Sequence, residues 1–238
     1  MGDQVGSTLL LLADGRFPAG GHAHSGGLEE AVATGRVQDE ESLFMFLGGR
    51  LATTGLVESA LAAAAYLAAG RPKDLRDVDA EAAARCPSPA LREASRSLGR
   101  SLLRASSAIW PGDGAWDGAE GRDGEGPAFG PAKRPMFPVA LGFVGDRSGL
   151  GAVEVCLLAA QASVSTPAWA ATRLFGLDPF AVARCLAALT TRVEEVAAEA
   201  LDVASAVDKP ARLPALSSPL VEIGAEAHAR WEVHLFAS

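Results

Sequence analysis

Four times in this chain a side chain that caps helices stands directly before a proline. The pairs are Ser88-Pro89, Thr166-Pro167, Asp178-Pro179 and Ser218-Pro219. The oxygen of such a residue accepts a hydrogen bond from an unpaired first-turn amide, and proline suits the first helical position because it has no N–H to lose. Each pair therefore predicts a helix start. After Ser88, the residues Leu91, Ala94, Leu98, Leu102, Ala105 and Ile109 recur at helical spacing. After Asp178, the series Leu186, Leu189, Val193, Val196 and Ala200 does the same, and Leu220, Ile223 and Ala227 open a last helix. Alanine is abundant and strand-favouring residues are thinly spread, so the expected fold is all-α. We expect a compact, bundle-like single domain spanning residues 1–238.

The earlier part fits the same class. Asp39 reads as an N-cap with Glu40 and Glu41 in the first turn, ahead of Leu43, Leu47 and Leu51. Gly48, Gly49 and Gly55 weaken that helix, and close approach of a neighbouring helix is the expected compensation. Leu28–Thr34 reads as a short helix capped by Gly35, and 75–85 as another. The run TLLLLA at 8–13 fits a helical turn or a buried strand equally. Phe137–Val144 is read as a helix opened by Pro138. Leu150–Phe175 is read as a helix interrupted at Pro167. Residues 111–135, rich in Gly, Pro and charge, are expected to form a long mobile loop between two helical halves.

Several function classes are disfavoured. A net charge of −8 without a basic block argues against nucleic acid. No uninterrupted apolar run is long enough for a membrane span, and no secretory signal opens the chain. Cys86, Cys156 and Cys185 lie far apart, which suits reduced thiols in a cytoplasmic protein. There is no P-loop, dinucleotide fingerprint, HExxH or paired CxxC, which argues against an enzyme.

The chemistry-bearing candidates are few. Asp14–Gly27 (DGRFPAGGHAHSGG) holds His22, His24 and Ser25 among five glycines. These residues allow three readings: a turn whose His24 and Ser25 cap the following helix, a transient metal path through His22 and His24, or a hydrolase using His24, Ser25 and a carboxylate. Arg92, Arg96, Arg100 and Arg104 recur every fourth residue, forming one slanting stripe with only Glu93 between them. It is either a solvated face or a site for carboxylates or phosphates. Glu194, Glu195, Glu199 and Asp202 are the acidic counterpart, able to pair with that stripe, to dock a partner or simply to face water. The end HARWEVHLFAS places Trp231, Leu235 and Phe236 where an apolar tail needs cover, from the body or from a partner.

The segment 9–37 resembles the opening of the urease accessory protein UreF family. The matching residues are Leu12, Ala13, Asp14, Phe17, Pro18, Gly20, His24, Ser25, Gly27, Leu28 and Glu29. ASRSLGRSLL at 94–103, PVALGFVG at 138–145 and the end of the chain, with His228 and Leu235-Phe236-x-Ser238, agree in order. Departures fall at His22, Leu98, Met136, the FGLDPF stretch after Arg173-Leu174, and His234; they bear on partner contacts more than on the fold. The resemblance implies an all-α, dimeric, non-catalytic scaffold. Such a scaffold bridges UreD (UreH in some bacteria) and the GTPase UreG, regulates GTP hydrolysis by UreG, and serves nickel delivery to apo-urease. No cofactor is bound tightly, and nickel is transient. By the same resemblance Arg96, Gly99 and Arg100 are partner-binding candidates, Gly99 permitting close helix approach. His24, Ser25 and Glu29 form a second contact region or nickel passage, with Arg173, His228 and Phe236 as further contacts. A stand-alone nickel carrier and the hydrolase are the alternatives.

Overall fold

The computed structural model describes residues 3–111 and 134–236. Among them the chain is all-helical, with no β-strand. Helix α1 (Asp3–Ala13) leads through a 3₁₀ turn (Gly21–Ala23) to α2 (Leu28–Ala33) and α3 (Glu40–Arg50). A π-helical turn (Leu51–Gly55) joins α3 to α4 (Leu56–Leu67), followed by α5 (Pro72–Ala84) and α6 (Pro89–Ile109). The second half holds α7 (Phe137–Arg147), α8 (Ala152–Leu174), α9 (Pro179–Ala206), a 3₁₀ turn (Pro210–Arg212) and α10 (Pro219–His228).

Helix α4 is apolar nearly all round, and a helix of that kind must be enclosed. It packs against α7, α8 and α9 and buries Leu56, Val57, Ala60, Leu61, Ala62, Ala63 and Ala65. Small side chains bring the backbones together. At Gly142 of α7, a Cβ would run into the Ala62 carbonyl and lie 2.7 Å from both Ala65 Cβ and Tyr66 N. Around this centre sit fully buried leucines such as Leu43, Leu47 and Leu51. Each contributes roughly 1.5–3 kcal/mol relative to an exposed position.

Most expected starts are present. Asp39 accepts from Ser42 N at 2.8 Å while the Ser42 hydroxyl accepts from Asp39 N, a reciprocal cap on α3. Ser88 Oγ accepts from Leu91 N at 3.2 Å, and Asp178 Oδ1 from Phe180 N at 3.1 Å. TLLLLA is helical, the end of α1. Phe137–Arg147 is a helix with Pro138 in its first turn.

Three expectations are corrected. Helix α8 runs unbroken through Pro167. The carbonyl that Pro167 cannot reach is that of Ser163, and Arg50 Nε donates to it at 2.9 Å. Ser218 does not cap α10 with its side chain; its hydroxyl lies 2.6 Å from Thr53 Oγ1 instead. The close approach expected at α3 occurs only at Gly55, where a Cβ would meet Ser163 Oγ at 2.8 Å. Nothing lies within 4 Å of a Cβ at Gly48 or Gly49. Of the loop expected at 111–135, residues 112–133 lie outside the described residues.

Candidate interaction site

Eight of the residues singled out by sequence, His22, Ser25, Glu29, Arg173, His228, Trp231, Leu235 and Phe236, meet where the N-terminal turn faces the C-terminal tail. The N-cap of α2 is Gly27, and buried Ser25, two residues before it, accepts from the first-turn amide Glu29 N at 3.3 Å. Glu29, buried in the first turn of α2, points its carboxylate at the other end of the chain. Its Oε2 lies 2.9 Å from His228 Nε2 and accepts from Phe236 N at 3.0 Å. Its Oε1 accepts from Leu235 N at 2.7 Å. A buried carboxylate needs such partners, because an unmatched one costs several kcal/mol. Phe236 is buried, while Val233 and Leu235 are 84% and 70% exposed. The body thus takes one aromatic ring of the apolar tail and leaves the neighbouring side chains outside.

Arg173, in the last turn of α8, closes the junction. Its guanidinium carbon sits 4.3 Å from the Phe236 ring centroid, and Nη2 donates to the His22 carbonyl at 2.8 Å. The His228 ring lies 4.7 Å from Trp231 and 5.2 Å from His234. His22 is exposed on the 3₁₀ turn and His24 is half-buried just after it. Among the described residues, no three His, Cys, Asp or Glu side chains converge as metal ligands.

A cavity of about 400 Å³ opens beside this junction, with His22, His24, Arg50, Glu58, Cys86 and Trp169 in its wall. Arg50 also donates from Nη1 to Gly26 O at 3.1 Å, tying α3 to the glycine-rich loop. Burial raises the Glu58 carboxyl above its ordinary range, and the Arg50 charge opposes that. Burial likewise pushes the Cys86 thiol up to about 11, so it stays protonated near neutral pH.

The second region is α6. Arg96 pairs with Asp79 Oδ2 at 3.3 Å and donates to the Arg134 carbonyl. Asp79 Oδ1 accepts from Met136 N at 2.7 Å, and Ser95 Oγ from Phe137 N at 2.9 Å. These bonds seat residues 134–137, the lead-in to α7, against α5 and α6. A Cβ at Gly99 would collide with the Pro135 carbonyl, so the close neighbour there is the lead-in to α7. Arg92 Nη1 donates to the carbonyls of Cys86 and Pro87. Half of the arginine row is therefore internal tethering, and Arg100 and Arg104 are the exposed half. Among the described residues, no ion pair joins Glu194, Glu195, Glu199 or Asp202 to that row, and all four face solvent.

A sequence model of the UreF family matches residues 37–190. The similarity continues outside that span. The urease accessory protein UreF of Mycolicibacterium vanbaalenii is 39% identical over 232 residues, 98% of each chain. The chain belongs to the UreF family.

Two other UreF proteins give the same picture. That of Mycobacterium sp. strain JLS is 40% identical and that of Mycobacterium tuberculosis H37Rv 38%, each over 98% of both chains. This UreF-family fold also uses residues that no sequence pattern announces. Arg85 Nε donates to Pro214 O at 2.8 Å, and its Nη2 serves the carbonyls of Pro210, Ala211 and Leu213. Glu226 of α10 accepts from Ser88 Oγ and from Ala90 N, joining α10 to the start of α6. No helix among the described residues is long and apolar enough to cross a membrane.

Proposed function

We propose that this chain is a urease-maturation scaffold without catalysis of its own, acting in the cytoplasm as a homodimer. It bridges UreD (or UreH) and the GTPase UreG, regulates GTP hydrolysis by UreG, and so serves delivery of nickel, the cargo, to apo-urease. It binds no cofactor tightly. Kinship over 98% of the chain with proteins named for urease accessory function carries this reading. The site chemistry supports it. The buried Ser25 hydroxyl accepts from the Glu29 amide, and the Glu29 carboxylate is taken up by His228 and two tail amides. Neither group is arranged as a nucleophile or general base facing a substrate. Exposed Arg100 on α6, and Val233 and Leu235 on the tail, offer charged and apolar contact to partners. The test is to mix the purified chain with UreD and UreG in the presence of nickel, GTP and bicarbonate. A co-eluting complex with an altered rate of GTP hydrolysis is expected. Three proteins eluting separately, with unchanged hydrolysis, would overturn the proposal.

A further inference from the structure

Arg50, Thr54 and Glu58 follow one another at every fourth residue through the end of α3, the π-helical turn and α4. All three line the cavity of about 400 Å³. A π-helical turn inside a helix is uncommon and often sits at a functional site. The wall around these residues is largely apolar, with Leu61, Leu91, Leu98, Leu141, Leu158 and Trp169 in it. Apolar walls with a few converging polar groups are the usual form of a small-molecule site. Two of those polar groups are left incomplete by the fold. Arg50 gives Nε to Ser163 O and Nη1 to Gly26 O, while Nη2 has no hydrogen-bond partner among the described residues. The Glu58 carboxyl accepts no hydrogen bond among the described residues, and no ion pair joins it to Arg50. The two groups feel each other's charge, yet burial lowers Arg50 and raises Glu58, so both are desolvated. Thr54 is turned toward α10, its hydroxyl 3.3 Å from Ser218 Oγ. A desolvated donor and a desolvated acceptor that do not meet are costly unless something joins them.

We propose that this cavity binds an uncharged molecule carrying a primary carboxamide on an apolar body. The carboxamide oxygen accepts from Arg50 Nη2, its N–H groups donate to Glu58, and the body packs against the leucines and Trp169. A carboxamide holds an acceptor and a donor on one carbon, so it can bridge a guanidinium and a carboxylate that do not touch. Charge points the same way. Across the wall Arg50, Arg85 and Arg173 balance Asp14, Glu58 and Glu222, which favours neither a net cation nor a net anion. A carboxylate ligand would match Arg50 but face Glu58, and an amidinium would match Glu58 but face Arg50. A metal ion lacks its ligand set, since no three His, Cys, Asp or Glu side chains converge among the described residues. The site stands apart from the scaffold reading, and the chain alone suffices to test it.

Benzamide, benzamidine and benzoate have nearly the same shape and differ in charge. Titrated calorimetrically into the full chain, benzamide is expected to bind with a Kd of about 1 mM or below, ordinary for so small a ligand. Benzamidine and benzoate should bind about tenfold more weakly, because each leaves one of the two buried groups unmatched. Glu58→Gln keeps an acceptor in place and should hold benzamide within about threefold of the parent chain. Glu58→Leu removes the acceptor and should lose about tenfold or more. Circular dichroism melts show whether both variants are folded, and the comparison of the three probes needs no variant. Absence of benzamide binding would overturn the proposal, as would either charged probe binding as tightly. So would parent-like binding in folded Glu58→Leu, or equal loss in Glu58→Gln and Glu58→Leu.

Discussion

Arg50 supplies the hydrogen bond that Pro167 withholds. Proline has no N–H, so the Ser163 carbonyl would be left without its helical donor, and Arg50 Nε meets it at 2.9 Å. The same guanidinium reaches Gly26 O. A proline that reads as a break is accommodated inside a helix by a side chain from a distant one.

Arg50→Met is therefore expected to destabilise the fold by about 1.5–3 kcal/mol, the range for hydrogen bonds to charged groups. Pro167→Ala restores an N–H at the right place. In that background the cost of Arg50→Met should fall, a coupling that urea unfolding of the four proteins measures. Equal costs in both backgrounds would separate the two residues.

The glycines divide into two kinds. Gly142→Ala forces a methyl into the Ala62 carbonyl and should cost at least 1–3 kcal/mol, the range for overpacking. Gly48→Ala meets nothing within 4 Å and lies in ordinary helix, so it should stabilise the chain by about 0.5–1 kcal/mol. Thermal melts should move in opposite directions, by about 2–4 °C per kcal/mol for a domain of this size.

The arginine stripe gives a sharper test once Arg96 and Arg100 are separated. Arg96→Glu would place a carboxylate against Asp79 and unseat the 134–136 segment, lowering stability. Arg100→Glu changes only an exposed side chain and should leave the melting temperature within about 1–2 °C, consistent with surface substitutions. If α6 docks a partner, Arg100→Glu weakens co-elution with UreD or UreG while the fold is untouched. Unchanged binding would move the interface elsewhere.

Two carboxyls should give opposite pH dependence. The Ser88 hydroxyl and Ala90 amide lower Glu226 below its ordinary value of 4.5. Its contribution is fully present above that value and is lost as pH falls through the lower folded one. Glu226→Gln should remove that part of the acid transition. Glu58 is raised from 4.5 by burial, so the folded state holds its proton more tightly and stability declines as pH rises through the raised value. Glu58→Gln should raise the melting temperature near neutral pH, with a gain that shrinks toward pH 4. Parallel pH profiles for the two variants would contradict these assignments.

Helix class and most helix starts were legible because they are local. Asp39, Ser88 and Asp178 bond to amides two or three residues away, so the signal lies within one turn. Pro167 and Ser218 misled for the converse reason. Their outcome depends on Arg50 and Thr53, more than a hundred residues distant in sequence. The same holds for the candidate site. Family resemblance picked out Glu29, Arg173, His228 and Phe236 singly. That Glu29 binds the tail's backbone amides is a fact about the fold, since amides carry no sequence signature. Arg85, Glu226 and the half-buried Arg50 were missed because an isolated charged residue on a helix looks the same whether it faces water or a row of carbonyls.

Arg85 has a wider bearing than its place in α5 suggests. By gathering four carbonyls of the stretch from Pro210 to Pro214, one side chain moors the connection from which α10 and everything after it hang. The C-terminal arm is thus moored at its root by Arg85, held along α10 by Ser218 and Glu226, and fastened at its tip by Glu29. An arm tied at root, middle and tip keeps its aim, so an insertion in the connector has to bulge out between Pro214 and Ser218 instead of swinging α10 off α2 and α6.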